Sequence, residues 1–219
     1  PCAETISEGA FGNCFALERI DWSQATALKA IGEYAFSECK SMQLLSPVLP
    51  SSLETIGEGA FKNCTALEGI DLSQATALKT IGDKAFFWCE SMKLVSPVLP
   101  SNLETIGESA FCGCTALGGI DLSQATALKA IGDKAFCVCR SMKLVSPVLP
   151  SSLETIDEYA FYGCTVLGGI DLSQATALKA IGNNAFLGCK SMQLVSPVLP
   201  SSLETIGGSA FKDCTALEM

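Results

Sequence analysis

Leu53-Glu54-Thr55-Ile56-Gly57-Glu58-Gly59-Ala60-Phe61-Lys62-Asn63-Cys64-Thr65-Ala66-Leu67-Glu68-Gly69-Ile70-Asp71-Leu72 decides the architecture, because the chain writes it again at a fixed interval. Its opening returns as Leu103-Glu104-Thr105-Ile106-Gly107 and again from Leu203, while the copy from Leu153 ends at Asp157. Between these lies a variant, Leu78-Lys79-Thr80-Ile81-Gly82, with close copies from Leu28, Leu128 and Leu178. The unit is therefore 25 residues in two alternating types, a 50-residue superrepeat, and nine copies fit the 219 residues without an insertion. A period of this size marks a solenoid, in which each unit is one supersecondary element.

Working outward from that stretch, Leu53 and Ile56 point inward from a short extended segment that Gly57 breaks. Glu58 falls where a carboxylate favours a helix N-terminus. Ala60, Phe61 and Cys64, at i, i+1 and i+4, predict the inner face of about two helical turns. Leu67, Ile70 and Leu72 then spell a strand, and Ser73 to Ala77, or Val98 to Asn102 in the other type, returns the chain to the next coil. One coil cannot bury its apolar side alone, so neighbours must stack. Their strands form a parallel sheet with a spacing of ~4.8 Å. Pro97 and its copies replace Leu72 on every second coil, so the sheet is expected to narrow there for want of an amide donor.

The I-G-x-x-A-F-x-x-C segment followed by L-x-x-I-x-L resembles the BspA-like, Treponema-type leucine-rich repeats, and Leu99-Pro100-Ser101-Asn102-Leu103 resembles that family's L-P-x-x-L linker. The resemblance covers nearly the whole chain, although family repeats are slightly shorter. The expected fold is an α/β repeat: a right-handed leucine-rich-repeat solenoid of nine 25-residue coils, with a parallel sheet on one face and short helices on the convex face. Residues 1–219 read as a single solenoid, incomplete at both ends and without recognisable caps. The resemblance implies surface-exposed or secreted proteins of adhesion and recognition, and it carries no catalytic residues.

Composition sets further bounds. No apolar run approaches the ~18 residues that cross a membrane. A net charge of −9 argues against nucleic acid, which rewards clustered Lys and Arg. The chain has no His, so neither a Ser-His-Asp nor a Cys-His arrangement can be built. It has no phosphate-binding glycine motif, so no enzyme activity and no cofactor are expected. The opening Pro1-Cys2 lacks an initiator Met, which fits either a removed signal peptide or a piece of a longer chain.

In a stack, residues one period apart become neighbours, so each position reads as a column. Glu4, Lys29, Glu54, Lys79, Glu104, Lys129, Glu154, Lys179 and Glu204 alternate in sign without exception, which predicts a charge ladder that fixes coil order. A second column, from Glu8 through Glu33, Glu58, Asp83, Glu108 and Asp133 to Glu158, is acidic. Such a run could hold calcium, but capping of each helix accounts for it without a metal. Nine cysteines from Cys14 to Cys214 form a third column and are expected to pack as small hydrophobes. Cys112 and Cys137 share a column of their own, which places them within disulfide reach on adjacent coils. Cys2 has no column partner and reads as free or intermolecular. Asn63-Cys64-Thr65 is the one N-glycosylation sequon, meaningful if the chain is secreted.

Almost every position is copied faithfully, so the exceptions are informative. The two columns after Ala-Phe vary most, and they turn apolar in the middle coils. Phe87, Trp88, Val138, Tyr162 and Leu187 are the candidate partner-binding residues, merging into one convex strip. A second candidate is the strand face, where Leu44, Leu94, Leu144 and Leu194 stand against Gly69, Gly119 and Gly169; their orientation is open. The preferred reading is a non-enzymatic extracellular or cell-surface recognition and adhesion scaffold. Its partner is a protein, a glycan or further copies of itself, with no nucleic acid and no membrane insertion. The alternative is a building block of an extracellular filament, sheath or wall.

Overall fold

The computed structural model describes residues 3–218. It is a parallel β-solenoid. Nine two-residue strands, from Thr5–Ile6, Ala30–Ile31 and Thr55–Ile56 to Thr205–Ile206, form one continuous parallel sheet in sequence order. Each pairs in a 25-residue register, Thr55 opposite Thr80 and Ile56 opposite Ile81, so about eight turns separate the first strand from the last. The unbroken sheet thus lies on the Leu-Glu-Thr-Ile segment. Gly57 and its equivalents let the backbones close up: a Cβ on Gly57, Gly82 or Gly107 would sit 2.4–2.8 Å from atoms of the preceding coil.

The second extended segment behaves differently. It forms four separate two-stranded sheets: Arg19–Ile20 with Gln43–Leu44, Gly69–Ile70 with Lys93–Leu94, Gly119–Ile120 with Lys143–Leu144, and Gly169–Ile170 with Gln193–Leu194. Ile70 follows Cys64 by six residues but Leu94 follows Cys89 by five, so Gly69 pairs with Lys93 in a 24-residue register. On the other side of each pair the ladder is interrupted. Only single bridges such as Val48 to Asp71 remain, with the Asp71 amide donating to the Pro47 carbonyl at 2.7 Å. Proline at this point can accept but not donate, which limits pairing to every second junction.

The expected convex helices are absent: no helix occurs among the described residues, and the fold is all β-strand and turn rather than α/β. The reason lies in the backbone. Every residue of the column from Gly9 to Ser209, and every residue of the column from Asn13 to Asp213, has φ between +53° and +80°. Two left-handed residues four positions apart in each such segment forbid a right-handed helix there. Amides in this segment alternate in direction instead. Those of Tyr34, Phe36 and Glu38 donate to the carbonyls of Glu58, Ala60 and Lys62 on the next coil, all at 2.7 Å. Those of Ala35, Ser37 and Cys39 close turns onto Gly32, Tyr34 and Phe36 within their own coil. A helix would have used every amide internally and left the coils tied only by side chains.

The core is a set of columns. Leu53, Ile56, Ala60, Phe61, Cys64, Leu67, Ile70 and Leu72 are all fully buried. Nine phenylalanines, Phe11 to Phe211, stack ring on ring with centroids 5.1–5.4 Å apart. The cysteine column is more than small apolar filling. Each thiol from Cys39 onward donates to the carbonyl of the phenylalanine 28 residues earlier, as Cys89 does to Phe61 at 2.9 Å. Burial pushes these thiols upward, Cys189 to about 12, so they stay protonated donors.

Candidate functional site

The turn segments that replace the expected helices carry the candidate strip. Its backbone is continuous: the amides of Trp88, Gly113, Val138 and Gly163 donate to the carbonyls of Cys112, Cys137, Tyr162 and Leu187, each on the following coil, at 2.7–2.9 Å. On this ladder Trp88 and Tyr162 are exposed, whereas Phe87, Val138 and Leu187 are half-buried. Phe87 and Trp88 meet edge to face at 6.2 Å. Tyr162 meets Tyr159 in the same manner at 5.7 Å, and the Lys134 ammonium lies 5.8 Å from the centre of the Tyr159 ring. The structure therefore gathers the strip into two aromatic clusters.

Gly113 lies between Trp88 and Val138. The indole of Trp88 covers it so closely that a Cβ would come within 2.9 Å of the ring. Tyr34 covers Gly59 in the same way and donates its hydroxyl to Glu58, which raises the Tyr34 pKa. Beyond Val138 the column is bare at Gly163 and Gly188. There a depression of about 480 Å³ opens, walled by Tyr162 and Leu187 and rimmed by Lys190 and Asp213.

Trp88 and Val138 occupy left-handed backbone, at φ +55° and +60°, in a column otherwise filled by Asn, Gly or Asp except at Glu38. Bulky and β-branched residues are disfavoured there, by about 1–2 kcal/mol each. Asn13 and Asn63 occupy the same conformation at lower cost.

The remaining candidates fall as follows. Cys112 is buried and Cys137 half-buried, and both are free thiols. The Asn63 side-chain amide donates to Glu38, and the central residue of its sequon, Cys64, is fully buried. Cys2 lies outside the described residues. In the acidic column there are no helices to cap; the Asp83 and Asp133 carboxylates instead accept the amides of Glu108 and Glu158 on the next coil, at 2.7 and 3.0 Å, and Asn183 does the same for Gly208. No group of metal-ligating side chains is brought together among the described residues.

On the opposite segment, Leu44, Leu94, Leu144 and Leu194 are half-buried and pack against the core. The residue after each, Leu45, Val95, Val145 and Val195, is 58–59% exposed and forms an apolar ridge on alternate coils. Gly69, Gly119 and Gly169 make room for it, since a Cβ on each would come within 2.8–3.3 Å of the valine methyl of the next coil. A depression of about 930 Å³ beside the ridge is lined by Leu44, Pro47, Gly69 and Leu94. Sequence reasoning stopped one residue short of this ridge. The signal was the missing residue between Cys89 and Leu94, which shifts the register.

A 25-residue coil that buries an Ile, an Ala-Phe pair and a Cys in each inner turn defines the class as a leucine-rich repeat β-solenoid. The chain belongs to the BspA-type leucine-rich repeat family: the family described as "BspA type Leucine rich repeat region (6 copies)" matches residues 4–97 and 79–218. Among solved structures it is similar to a leucine-rich repeat protein of T. pallidum, at 24% identity and a TM-score of 0.61 over 87% of this chain and 72% of that one. It is also similar to a leucine-rich repeat protein of Bacteroides ovatus, at 27% identity and a TM-score of 0.51 over 97% of this chain and 68% of that one. The pneumococcal vaccine antigen PcpA matches at 24% identity and a TM-score of 0.50, over 99% of this chain and 60% of that one. No curated protein matches. Family membership is consistent with a protein-interaction scaffold, and this fold is typically a non-enzymatic one. No helix among the described residues is long and apolar enough to cross a membrane.

Proposed function

We propose that this chain is an extracellular or cell-surface recognition and adhesion scaffold that binds a protein partner through Phe87, Trp88, Val138, Tyr162 and Leu187. The observation that carries the reading is the left-handed backbone under Trp88 and Val138. A bulky residue held on an accessible surface in a conformation that Asn or Gly adopts at lower cost supports a role beyond folding. Exposed Trp and Tyr are also the side chains most often found at binding hot spots.

Trp88→Asn with Val138→Asn tests this without endangering the fold, because Asn already occupies the column at Asn13 and Asn63. The double variant is expected to melt at or above the temperature of the parent and to lose binding to whichever ligand the parent retains from a panel of purified extracellular proteins and glycans. Equal binding by both proteins, or retention of glycans alone by the parent, rejects the reading. A second reading, lateral assembly of copies, is supported by the exposed ridge of Leu45, Val95, Val145 and Val195. It predicts a mass that rises with concentration in light scattering and that Val95→Asp with Val145→Asp returns to the monomer value.

A further inference from the structure

The column that carries Phe87, Tyr162 and Leu187 holds Cys112 and Cys137 between them. Neither of these thiols donates to a phenylalanine carbonyl as the core thiols do, and Cys137 is also more exposed than they are. Core cysteines from Cys39 to Cys189 are fully buried and spend their protons on phenylalanine carbonyls. Cys137 is half-exposed, and its column neighbour on the preceding coil is Cys112. The Gly113 amide donates to the Cys137 carbonyl at 2.8 Å, which ties the two cysteine-bearing turns together in a parallel ladder. Strands so paired lie ~4.8 Å apart, inside the Cα separation of about 4.4–6.8 Å that a disulfide spans.

We propose that Cys112 and Cys137 form a redox-active dithiol, a site of oxidative modification that closes to a disulfide by exchange with a low-molecular-weight disulfide of the glutathione class. The Cys137 thiolate attacks one sulfur of the external disulfide, whose S–S bond breaks and whose other half leaves as a thiolate and takes up a proton. Cys112 then attacks the Cys137 sulfur of the mixed disulfide, loses its own proton to solvent, and expels the second small thiolate. Two protein thiols are oxidised to one disulfide and one external disulfide is reduced to two thiols. The roles follow from the surroundings. Cys137 is the more exposed of the two, so an external disulfide reaches it first, and the neighbouring Cys112 thiol, with the Lys134 ammonium, holds it below the ordinary thiol range against the effect of burial. Cys112 is buried beside it, out of reach of the external disulfide, and is therefore the resolving thiol. This inference does not depend on what the strip binds.

The full chain, fully reduced and then held in oxidised glutathione, is quenched with alkylating reagent and mapped by mass spectrometry. The expected product is one peptide pair joined through Cys112 and Cys137, with the buried core cysteines alkylated only after denaturation. Cys112→Ser is expected to stop at a stable glutathione adduct on Cys137, and Cys137→Ser to form the adduct at least tenfold more slowly. In the reduced parent, Cys137 should react with iodoacetamide severalfold faster than Cys14, which is more exposed. Circular dichroism of both serine variants confirms that they are folded. Recovery of Cys112 and Cys137 as separate alkylated thiols, a disulfide between two chains, or failure of Cys112→Ser to accumulate the adduct would each overturn the proposal.

Discussion

Single residues in this molecule are judged by their columns, so the odd member of a column is the natural place to intervene. Asp157 stands where seven other coils have glycine, and those glycines exist because the preceding coil leaves no room for a Cβ. Its carboxyl is half-buried, and desolvation, reinforced by the charge of Asp133, raises its pKa against the opposing hydrogen bond from Thr155. A carboxyl raised in the folded state binds its proton more tightly there than in the unfolded chain. The penalty on the charged form is therefore complete at neutral pH and fades as the pH falls through the raised value toward the unfolded one, about 3.9. Asp157→Gly is expected to stabilise by about 1 kcal/mol at neutral pH, and by less in acid; a variant that melts lower than the parent at pH 7 contradicts this. The phenylalanine column gives the opposite case. Phe136 is fully buried between Phe111 and Phe161, so Phe136→Ala is expected to cost about 3–5 kcal/mol in urea unfolding. Phe11, exposed and stacked on one side only, is expected to cost clearly less when changed to Ala.

At the scale of the element, the turn segment explains both what could be read and what could not. Apolar positions Ala60, Phe61 and Cys64 lie on one face of a helix as naturally as on one side of a turn ribbon, and their burial is correct under either reading. What separates the two is the backbone between them. Asn13, Asn63, Gly113, Gly163, Gly188 and Asp213 are residues that tolerate left-handed φ, and Gly9, Gly59 and Asn184 stand four positions before Asn13, Asn63 and Gly188. That double column was visible in the sequence, but Trp88, Val138, Lys84 and Tyr159 mask it, because none of them favours the conformation it adopts. The 25-residue period needed no such subtlety, since repetition is independent of conformation. The strip residues were legible as exceptions to repetition, whereas their conformation and their division into two clusters depend on glycine columns that only the folded backbone makes meaningful. One consequence is measurable. Gly113→Ala would place a methyl 2.9 Å from the Trp88 ring at φ +80°, so it is expected to destabilise by about 1–2 kcal/mol and to lift the indole from the surface. Trp22 is buried and Trp88 exposed, so the change reads out as a red shift and stronger quenching of Trp88 alone. Unaltered emission with an unaltered melt would mean that the ring does not rest there.

Over the whole molecule, one column of charge runs from Glu4 to Glu204 and alternates at every coil, yet it does not act evenly. Among the described residues its ion pairs close at two junctions, Lys29 with Glu4 and Lys179 with Glu154, both at 2.7 Å. At those junctions the hydrogen bond and charge of the lysine hold Glu4 and Glu154 below the usual carboxylate range, and the same contacts raise Lys29 and Lys179. The signs define a window. The depressed carboxylates contribute stability that is present above their unfolded values and lost as the pH falls through the lowered ones. The raised ammonium groups contribute stability that is complete below their unfolded values and lost as the pH climbs through the raised ones. Lys179→Glu is therefore expected to lower the melting temperature more than Lys79→Glu, because only the former breaks a closed pair. Replacing Lys79, Lys129 and Lys179 together with Glu makes a long acidic column beside one that is already acidic, in a chain of net charge −9. Neighbouring coils lie ~4.8 Å apart, well inside the ~30 Å over which charges act at 0.01 M salt and the ~8 Å at 0.15 M. The triple variant should melt below the parent in dilute buffer at neutral pH, recover part of the difference as salt is added, and approach the parent again once the carboxylates are protonated. Identical melting of parent and triple variant in dilute neutral buffer would mean that the alternation is a trace of how the superrepeat was copied and contributes nothing to holding the coils in order.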